Sequence, residues 1–286
     1  RATFFRRFRS KEDVVFADLR DREMVEQAVR QVNPEILINL AAQSAVSFSF
    51  INPSDVMSTN QLGTVALAEA ARRCSALQLF IHASTSEVYG RSTRWPTPED
   101  EPLGATSPYA VSKVAAEEYL RLLNRSHGFP TLVMRPFNTY GRALVGNPHY
   151  VVERAIVQAL NDGHIRLHDP RPRREFIFRD DHVSGYLQAV AAHQRGVTLA
   201  GEIVNLATGV CYSIQEMAEL VAHTVQTLTG KAVTVDFSQV PDRPEDITRL
   251  QGDGTKARVL LGWRAQYNLP DGLAKAVTEW RSTLAK

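Results

Sequence analysis

Short apolar segments alternate with amphipathic helical patterns over the first half of this chain. Residues 36–42 are apolar except for Asn39, a pattern typical of a strand buried on both faces of a sheet. Before it, the spacing of apolar residues predicts a helix over 22–32, with Asp21 as its cap. Further strands are predicted at 14–17, 77–83 and 131–134, and further helices at 62–74 and 109–123. Alternation of this kind predicts an α/β fold, a doubly wound parallel sheet with helices on both faces.

The alternation loosens in the second half of the chain. Helices are predicted at 150–161, 181–193 and 213–225, and strands at 165–167, 176–178 and 203–206. The predicted sheet domain comprises 1–138 and 175–208. The remaining segments, 139–174 and 209–286, are predicted to form a smaller mixed α/β lobe.

The composition argues against several classes of partner. Lys and Arg number 33 and Asp and Glu 31, so the overall charge gives no reason to expect nucleic acid as a partner. Cys74 and Cys211 lie far apart without metal-ligand spacing, which predicts reduced thiols and a cytoplasmic location. No apolar run reaches about 20 residues, so we expect no membrane partner.

Two stretches contain side chains suited to acid–base chemistry. Tyr109 and Lys113 are four residues apart on a predicted helix, so the ammonium lies beside the phenol and would lower its pKa. Thr85 and Glu87 directly follow a predicted core strand, where sheets of this class bind ligands. In an extended backbone the two side chains would point to the same side. The alternatives are an exposed helix pair and a solvated loop carboxylate.

Seven motifs follow one another in order along the chain. Three are Thr-Ser-Glu-Val-Tyr-Gly at 85–90, Ser-Pro-Tyr-Ala-Val-Ser-Lys at 107–113 and Arg-Pro-Phe-Asn-Thr-Tyr-Gly at 135–141. The others are at 39–44, 60–64, 174–178 and 243–246. Together they resemble the extended short-chain dehydrogenases that act on nucleotide sugars, most closely the 4,6-dehydratases of the GDP-mannose and retaining UDP-N-acetylglucosamine kinds. The resemblance implies a Rossmann-type sheet domain, a nucleotide-sugar-binding lobe, NAD or NADP as cofactor and a nucleotide diphosphate sugar as substrate.

The resemblance also implies catalytic roles. Tyr109 would remove the proton of the sugar 4-hydroxyl, Lys113 would hold the nicotinamide ribose, and Thr85 would hydrogen-bond the 4-oxygen. Glu87 would then remove the C5 proton before water leaves from C6. Ser86 stands where many dTDP-glucose dehydratases have Asp, and this favours the GDP-mannose-like arrangement, in which one Glu is base and then acid.

Binding roles follow from the same resemblance. It implies cofactor contacts for Asp18, Leu19, Ala41, Ala42, Gln43, Asn60, Tyr109, Lys113 and Arg135. It implies substrate contacts for Ser86, Asn138, Arg174, Arg243 and Asp246. A turn residue is the alternative for Asp18, and surface salt bridges are the alternative for the arginines. Arg6, Arg7 and Ser10 would favour the 2′-phosphate of NADP, unless they belong to a solvated loop.

The glycine-rich phosphate-binding turn of this fold does not precede Val14. We expect it in a segment upstream of Arg1, because a sheet lacking its first strand and helix would expose an unpaired edge. If that segment were truly absent, the chain would be a non-enzymatic remnant.

Four functions are compatible with these patterns. The first is a 4,6-dehydratase, which needs Glu87; the alternatives are a UDP-glucuronate decarboxylase, a 4-epimerase and a non-catalytic protein of the same fold. A homodimer through the helix of Tyr109 and the long helix before it is expected by analogy with relatives. Metal sites at His164 and His168 or at 180–182 are not favoured, because the spacing is wrong, and a helix cap at Asp180 or Asp181 is expected instead.

Overall fold

The computed structural model describes residues 14–141, 150–238 and 247–284. The predictions for Arg6, Arg7, Ser10, Arg243 and Asp246 therefore lie outside the described residues. Within the described ranges, every helix is too short or too polar to span a lipid bilayer.

A four-stranded parallel sheet combines three strands from the first half of the chain with one from the second half. Its strands are β1 (Ile36–Asn39), β2 (Leu79–Ala83), β3 (Thr131–Pro136) and β7 (Ile203–Leu206), in that spatial order. All three neighbouring pairs are parallel. Four of the five β2 residues are buried, as expected for a strand covered by helices on both faces. The predicted doubly wound parallel sheet is confirmed.

Helices cover this sheet, and the first of them begins at the cap that the sequence predicts. Helix α1 (Arg22–Val32) starts after Asp21, whose side chain accepts a hydrogen bond from the Met24 amide at 3.1 Å. The next helices are α2 (Val46–Ile51), α3 (Pro53–Met57), α4 (Gly63–Arg72) and α5 (Pro108–His127), with a π-helical turn over Ser58–Leu62 before α4.

The remaining strands build two smaller sheets. One contains β4 (Asn138–Tyr140), β6 (Arg173–Phe178) and β10 (Arg249–Leu250), with β8 (Cys211–Ser213) antiparallel to β6. The other pairs β5 (His164–Leu167) with β9 (Thr234–Phe237) in parallel. The helices of this half are α6 (Val151–Asp162), α7 (Arg179–Gln194), α8 (Ile214–Thr229) and α9 (Leu269–Leu284).

The described residues form three apolar cores. Two lie on opposite faces of the parallel sheet, and the third lies between α6, α8, α9 and β6. The segment containing Ile247, Leu250, Ala257, Leu261 and Trp263 packs in one of the two sheet cores, although it follows residue 209. The division into 1–138 with 175–208 and 139–174 with 209–286 stays a prediction.

Two local predictions are wrong. Residues 14–17 form no strand: Val15 and Phe16 are exposed, and within the described ranges β1 pairs only with β2. A strand needs a neighbour for its backbone hydrogen bonds, and none of the described residues supplies one there. Asp180 and Asp181 do not cap α7, which begins after Phe178. The Asp181 carboxylate instead accepts the amides of Gln266 and Tyr267 at 2.8 and 3.0 Å.

Candidate active site

A cleft of about 820 Å³ lies at the carboxyl ends of β1, β2 and β3. This is the edge at which open parallel sheets bind ligands. The structure brings seven of the predicted site residues to its wall: Ala42, Thr85, Ser86, Glu87, Tyr109, Lys113 and Asn138. The four residues predicted to be catalytic therefore share one cleft.

The turn after β2 presents Thr85, Ser86 and Glu87. The backbone does not stay extended here, because Ser86–Tyr89 is a 3₁₀ turn. The turn begins after Thr85, whose Oγ1 atom accepts a hydrogen bond from the Glu87 amide at 3.2 Å. The turn closes at Gly90, which has a φ of +58°. A Cβ at Gly90 would lie 1.7 Å from the carbonyl oxygen of Gly104, so only glycine fits this position.

Helix α5 presents Tyr109 and Lys113 one turn apart. Ser107 caps the helix by accepting the Ala110 amide at 3.1 Å, and Pro108 occupies its first position. Both Tyr109 and Lys113 are buried, and the Lys113 Nζ atom donates to the Ala83 carbonyl at 2.6 Å. Burial lowers the pKa of Lys113 to about 8, while the nearby Glu117 acts in the opposite direction. The ammonium is thus held at the end of β2, beside the turn that bears Thr85.

Arg135 forms a buried ion pair behind the cleft. Its Nη2 atom lies 2.5 Å from Glu117 Oε2, and its Nη1 atom donates to Tyr89 Oη at 3.0 Å and to the Glu99 carbonyl at 3.2 Å. Tyr89 in turn donates to Asn205 Oδ1 at 2.6 Å, and Ser84 donates to Glu117. The Arg135 side chain is not on the cleft wall, and this ion pair gives it a structural role. Its cofactor contact stays a prediction.

The loop after β1 is held by amide side chains. Asn60 accepts from the Gln43 amide at 2.8 Å and donates to the Gln43 carbonyl and to Ser112 Oγ, each at 3.0 Å. The Ala41 amide donates to Asn39 Oδ1 at 3.3 Å. Asn60 therefore fixes the 41–43 loop against α5, and direct contacts of Ala41, Gln43 and Asn60 with a cofactor stay predictions.

Asp18 and Leu19 lie just before α1, where the chain forms a turn at residues 19–20. Asp18 pairs with Arg20 at 2.6 Å, and the Arg20 side chain lowers the pKa of Asp18 to about 2. Leu19 packs against Gly63, where an added Cβ would come within 2.8 Å of the Leu19 Cβ. Neither residue is on the cleft wall, and their cofactor contacts remain predictions.

The predicted substrate residues are only partly brought together. Asn138 lines the cleft and donates through Nδ2 to the Glu175 carbonyl at 3.1 Å. Arg174 does not line it; its Nη1 atom donates to the Arg173 carbonyl at 3.1 Å. The neighbouring Glu175, to which the sequence analysis assigned no role, is fully buried and accepts amides from Gly209 and Gly252 at 3.2 and 2.8 Å.

Five further polar residues, which were not predicted as site residues from the sequence, line the cleft: Thr139, Tyr150, Arg154, His182 and Tyr186. His182 was considered only as a metal ligand, yet its spacing of four residues from Tyr186 on a helix was a usable signal.

The other histidines considered as metal ligands lie elsewhere: His164 begins β5, and His168 directly follows its last residue. His164 Nε2 is 3.1 Å from Asp236 Oδ2, and His168 Nδ1 is 3.3 Å from Ser238 Oγ. Among the described residues, no group of three metal-binding side chains is found.

Comparisons with known proteins agree with this geometry. The family model described as GDP-mannose 4,6 dehydratase matches residues 6–276. A UDP-glucose 4-epimerase of Mycolicibacterium smegmatis is 32% identical over 274 residues, covering 95% of this chain and 82% of the relative. A probable dTDP-glucose 4,6-dehydratase of Sinorhizobium fredii is 29% identical, covering 92% of this chain and 77% of the relative.

Solved structures show the same likeness. A dTDP-glucose 4,6-dehydratase of Streptomyces venezuelae, crystallised with NAD, superposes with a TM-score of 0.80 at 27% identity, over 94% of this chain and 79% of that one. The Rossmann-type fold and the cleft define a short-chain dehydrogenase of the extended kind. Within that class, the chain belongs to the GDP-mannose 4,6-dehydratase family of NAD-dependent epimerases and dehydratases.

Proposed function

We propose that this protein is a nucleotide-sugar 4,6-dehydratase that uses NAD or NADP. The observation that carries the proposal is the position of Glu87 in the same cleft as Thr85, Tyr109 and Lys113. A reaction that only oxidises and reduces C4 has no use for a second base, whereas elimination of water across C5 and C6 requires one.

The described residues fit the nicotinamide end of the cofactor. Lys113 places a buried ammonium at the end of β2, and Ala42, Pro136 and Thr139 come to the cleft from the ends or flanks of neighbouring strands. These groups offer a cation for a ribose hydroxyl and apolar walls for a flat ring. When bound, the cofactor would supply a two-electron hydride carrier beside C4 and C6 of the sugar.

The residues of the chain would then divide the proton transfers. Tyr109 takes the 4-hydroxyl proton, and the Lys113 ammonium makes this easier by stabilising the phenolate. Thr85 holds the 4-oxygen. Glu87 takes the C5 proton and gives it to the leaving 6-hydroxyl, which departs as water. C5 finally receives one proton from water, Tyr109 releases the 4-hydroxyl proton to water, and the product keeps its 4-ketone.

Arg154 favours a second candidate, a UDP-glucuronate decarboxylase. This reaction also begins with oxidation at C4, but it needs a partner for the substrate carboxylate. Arg154 on α6 lines the cleft and carries a suitable guanidinium.

Association is part of the proposal as well. Leu62, Val111 and Leu122 expose apolar side chains on or next to α4 and α5, which supports a homodimer through these helices. A cytoplasmic location stays a prediction.

Glu87→Gln tests the dehydratase proposal directly. The full-length protein is incubated with NAD or NADP and a panel of GDP-mannose, UDP-N-acetylglucosamine, dTDP-glucose, CDP-glucose and UDP-glucuronate, and product masses are read. We expect one substrate to lose about 18 mass units, and Glu87→Gln to slow that loss at least about a hundredfold, because a general base is worth about 10²–10⁴ in rate. Loss of carbon dioxide, or an altered sugar of unchanged mass, would instead establish the decarboxylase or the epimerase.

The activity is expected to fall as pH rises through about 8. The pKa of Lys113 is lowered by burial to about 8, so the ammonium that assists Tyr109 is lost above that value. The folded-state pKa lies below the ordinary value of 10.5, so the unfolded chain binds more protons between these two values. This group therefore makes the fold more stable as pH rises from 8 to 10.5, while activity declines. A kcat profile from pH 6 to 10 that stays flat above 8, under conditions where the protein remains folded, would contradict the assignment.

A further inference from the structure

Three buried polar side chains meet beneath the loop that follows β1. Asn39 is the last residue of β1, and its register partner on β2 is His82, so the two side chains lie side by side on one face of the sheet. Asn39 Nδ2 lies 3.3 Å from His82 Nδ1 and 3.2 Å from Oγ1 of Thr64 on α4. Each of the three residues is at most 3% exposed. The Asn39 side chain is therefore held from two sides inside the core.

The contacts of Asn39 define one orientation of its amide group. Its Oδ1 atom accepts a hydrogen bond from the Ala41 amide at 3.3 Å, and a backbone amide can only donate. Nδ2 must therefore point to Thr64 and His82. Because Nδ2 is a donor, His82 Nδ1 must be the acceptor, and the ring carries its proton on Nε2. Burial also lowers the pKa of His82 well below its ordinary value, which agrees with a neutral ring.

The packing around His82 does not by itself call for a polar ring. The Nε2 atom is buried and has no hydrogen-bond partner among the described residues. A buried N–H group without a partner is costly, so packing alone would favour an apolar side chain here. Phe80 lies two residues earlier on the same strand and face, and it shows that apolar side chains fit this layer. The ring is explained instead by the acceptor that it offers to Asn39.

We propose that His82 is a positioning residue for the bound cofactor. Its Nδ1 atom orients the Asn39 amide, and Asn39 Oδ1 in turn fixes the start of the 41–43 loop. Asn60 already holds the other end of this loop, and Ala42 between the two ends lines the cleft. The inference rests on the cofactor contact proposed for this loop. It applies equally to a dehydratase, a decarboxylase and an epimerase, because each of them uses the cofactor.

His82→Leu separates positioning from stability. Leu is close to His in size, and it removes both the Nδ1 acceptor and the buried Nε2–H group. We expect the melting temperature to stay the same or rise, because no buried donor is left without a partner. The dissociation constant of NADH or NADPH, titrated by nucleotide fluorescence with the full-length protein, should rise at least about fivefold, as for the loss of one hydrogen bond. His82→Phe tests the same loss with a larger side chain, should His82→Leu not fold.

Two further variants control this measurement. His82→Asn keeps an acceptor near the position of Nδ1, so the dissociation constant should stay within about twofold of wild type, although the smaller side chain lowers the melting temperature. Phe80 packs against Phe129 with ring centroids 5.3 Å apart, and Phe80→Leu should lower the melting temperature without weakening nucleotide binding. Wild-type affinity in His82→Leu would overturn the proposal, and so would a His82→Asn variant that binds as weakly as His82→Leu.

Hydrogen exchange tests the loop without any nucleotide. In His82→Leu, the Ala41 amide should exchange about five times faster than in wild type, because Asn39 Oδ1 is no longer held against it. In His82→Asn, the Ala41 amide should keep the wild-type rate. The Gln43 amide, which donates to Asn60 at 2.8 Å, should keep its rate in both variants. An unchanged Ala41 rate in His82→Leu would overturn the proposal. Failure of the dehydratase proposal would appear only in the substrate panel and would leave the exchange and binding results intact.

Discussion

Tyr109→Phe is expected to lower kcat/KM about a thousandfold while leaving the fold intact. The substitution removes one oxygen atom from a buried ring on α5, so packing is kept and only the proton acceptor is lost. General acid–base catalysis by one side chain contributes about 10²–10⁴ in rate, and here no other group shares the role. The measurement is product formation with the substrate that the panel identifies, together with a thermal melt of the same sample.

Tyr119→Phe provides the matched control for this prediction. Tyr119 lies on the same helix, and its hydroxyl donates to Glu69 Oε1 at 2.7 Å, away from the cleft. Its activity should stay within about twofold of wild type. If Tyr109→Phe also kept more than a tenth of the wild-type activity, Tyr109 would not be the base.

The fold was largely predictable because its signals are local. The apolar run at 36–42 and the helical spacing at 22–32 are patterns within a few residues, and both elements are found. Burial of the strand on both faces is not found, because Ile38 is exposed among the described residues. The 14–17 segment fails for the opposite reason: its β-branched and aromatic residues favour a strand, but only a neighbouring strand can complete one. Helix caps are hard to predict for the same reason. Asp181 is placed in the sequence as a helix cap would be, but its carboxylate accepts hydrogen bonds from backbone amides more than 80 residues away.

The candidate site was predictable where motifs sit at strand ends and hidden where partners come from distant segments. Thr85 and Glu87 follow β2 directly, so the sheet topology alone brings them to the cleft with α5. The contact between Thr139 and His182 exists because β4 and β6 run side by side, which brings α7 to the cleft. No pattern within a short stretch of sequence predicts the contact between Thr139 and His182. The ion pair of Arg135 with Glu117 is hidden in the same way, because an isolated glutamate on a helix is usually solvated.

Breaking that ion pair should cost the most stability of any single substitution considered. Glu117 is fully buried and Arg135 nearly so, and their charged atoms approach to 2.5 Å. Glu117→Leu would leave the Arg135 guanidinium buried without a counter-charge, and we expect the free energy of unfolding to fall by about 3–5 kcal/mol. Glu118 is the next residue along the helix, and it forms an exposed ion pair with Arg121. Glu118→Leu should lower the free energy of unfolding by less than about 1 kcal/mol. Denaturant unfolding of both variants gives the comparison, and equal losses would contradict the argument.

The double variant Glu117→Leu with Arg135→Met measures what the ion pair as a whole contributes to the free energy of unfolding. The single variant also includes the cost of leaving one buried charge without a partner. Replacing both partners removes the uncompensated charge, so much of the lost stability should return. Activity should not return with it. Glu117 also supports the protonated form of Lys113, whose pKa is already lowered to about 8 by burial, so its removal should lower that pKa further and bring the alkaline loss of activity to a lower pH. A double variant that recovered both stability and the wild-type pH profile would show that the buried pair serves only the fold.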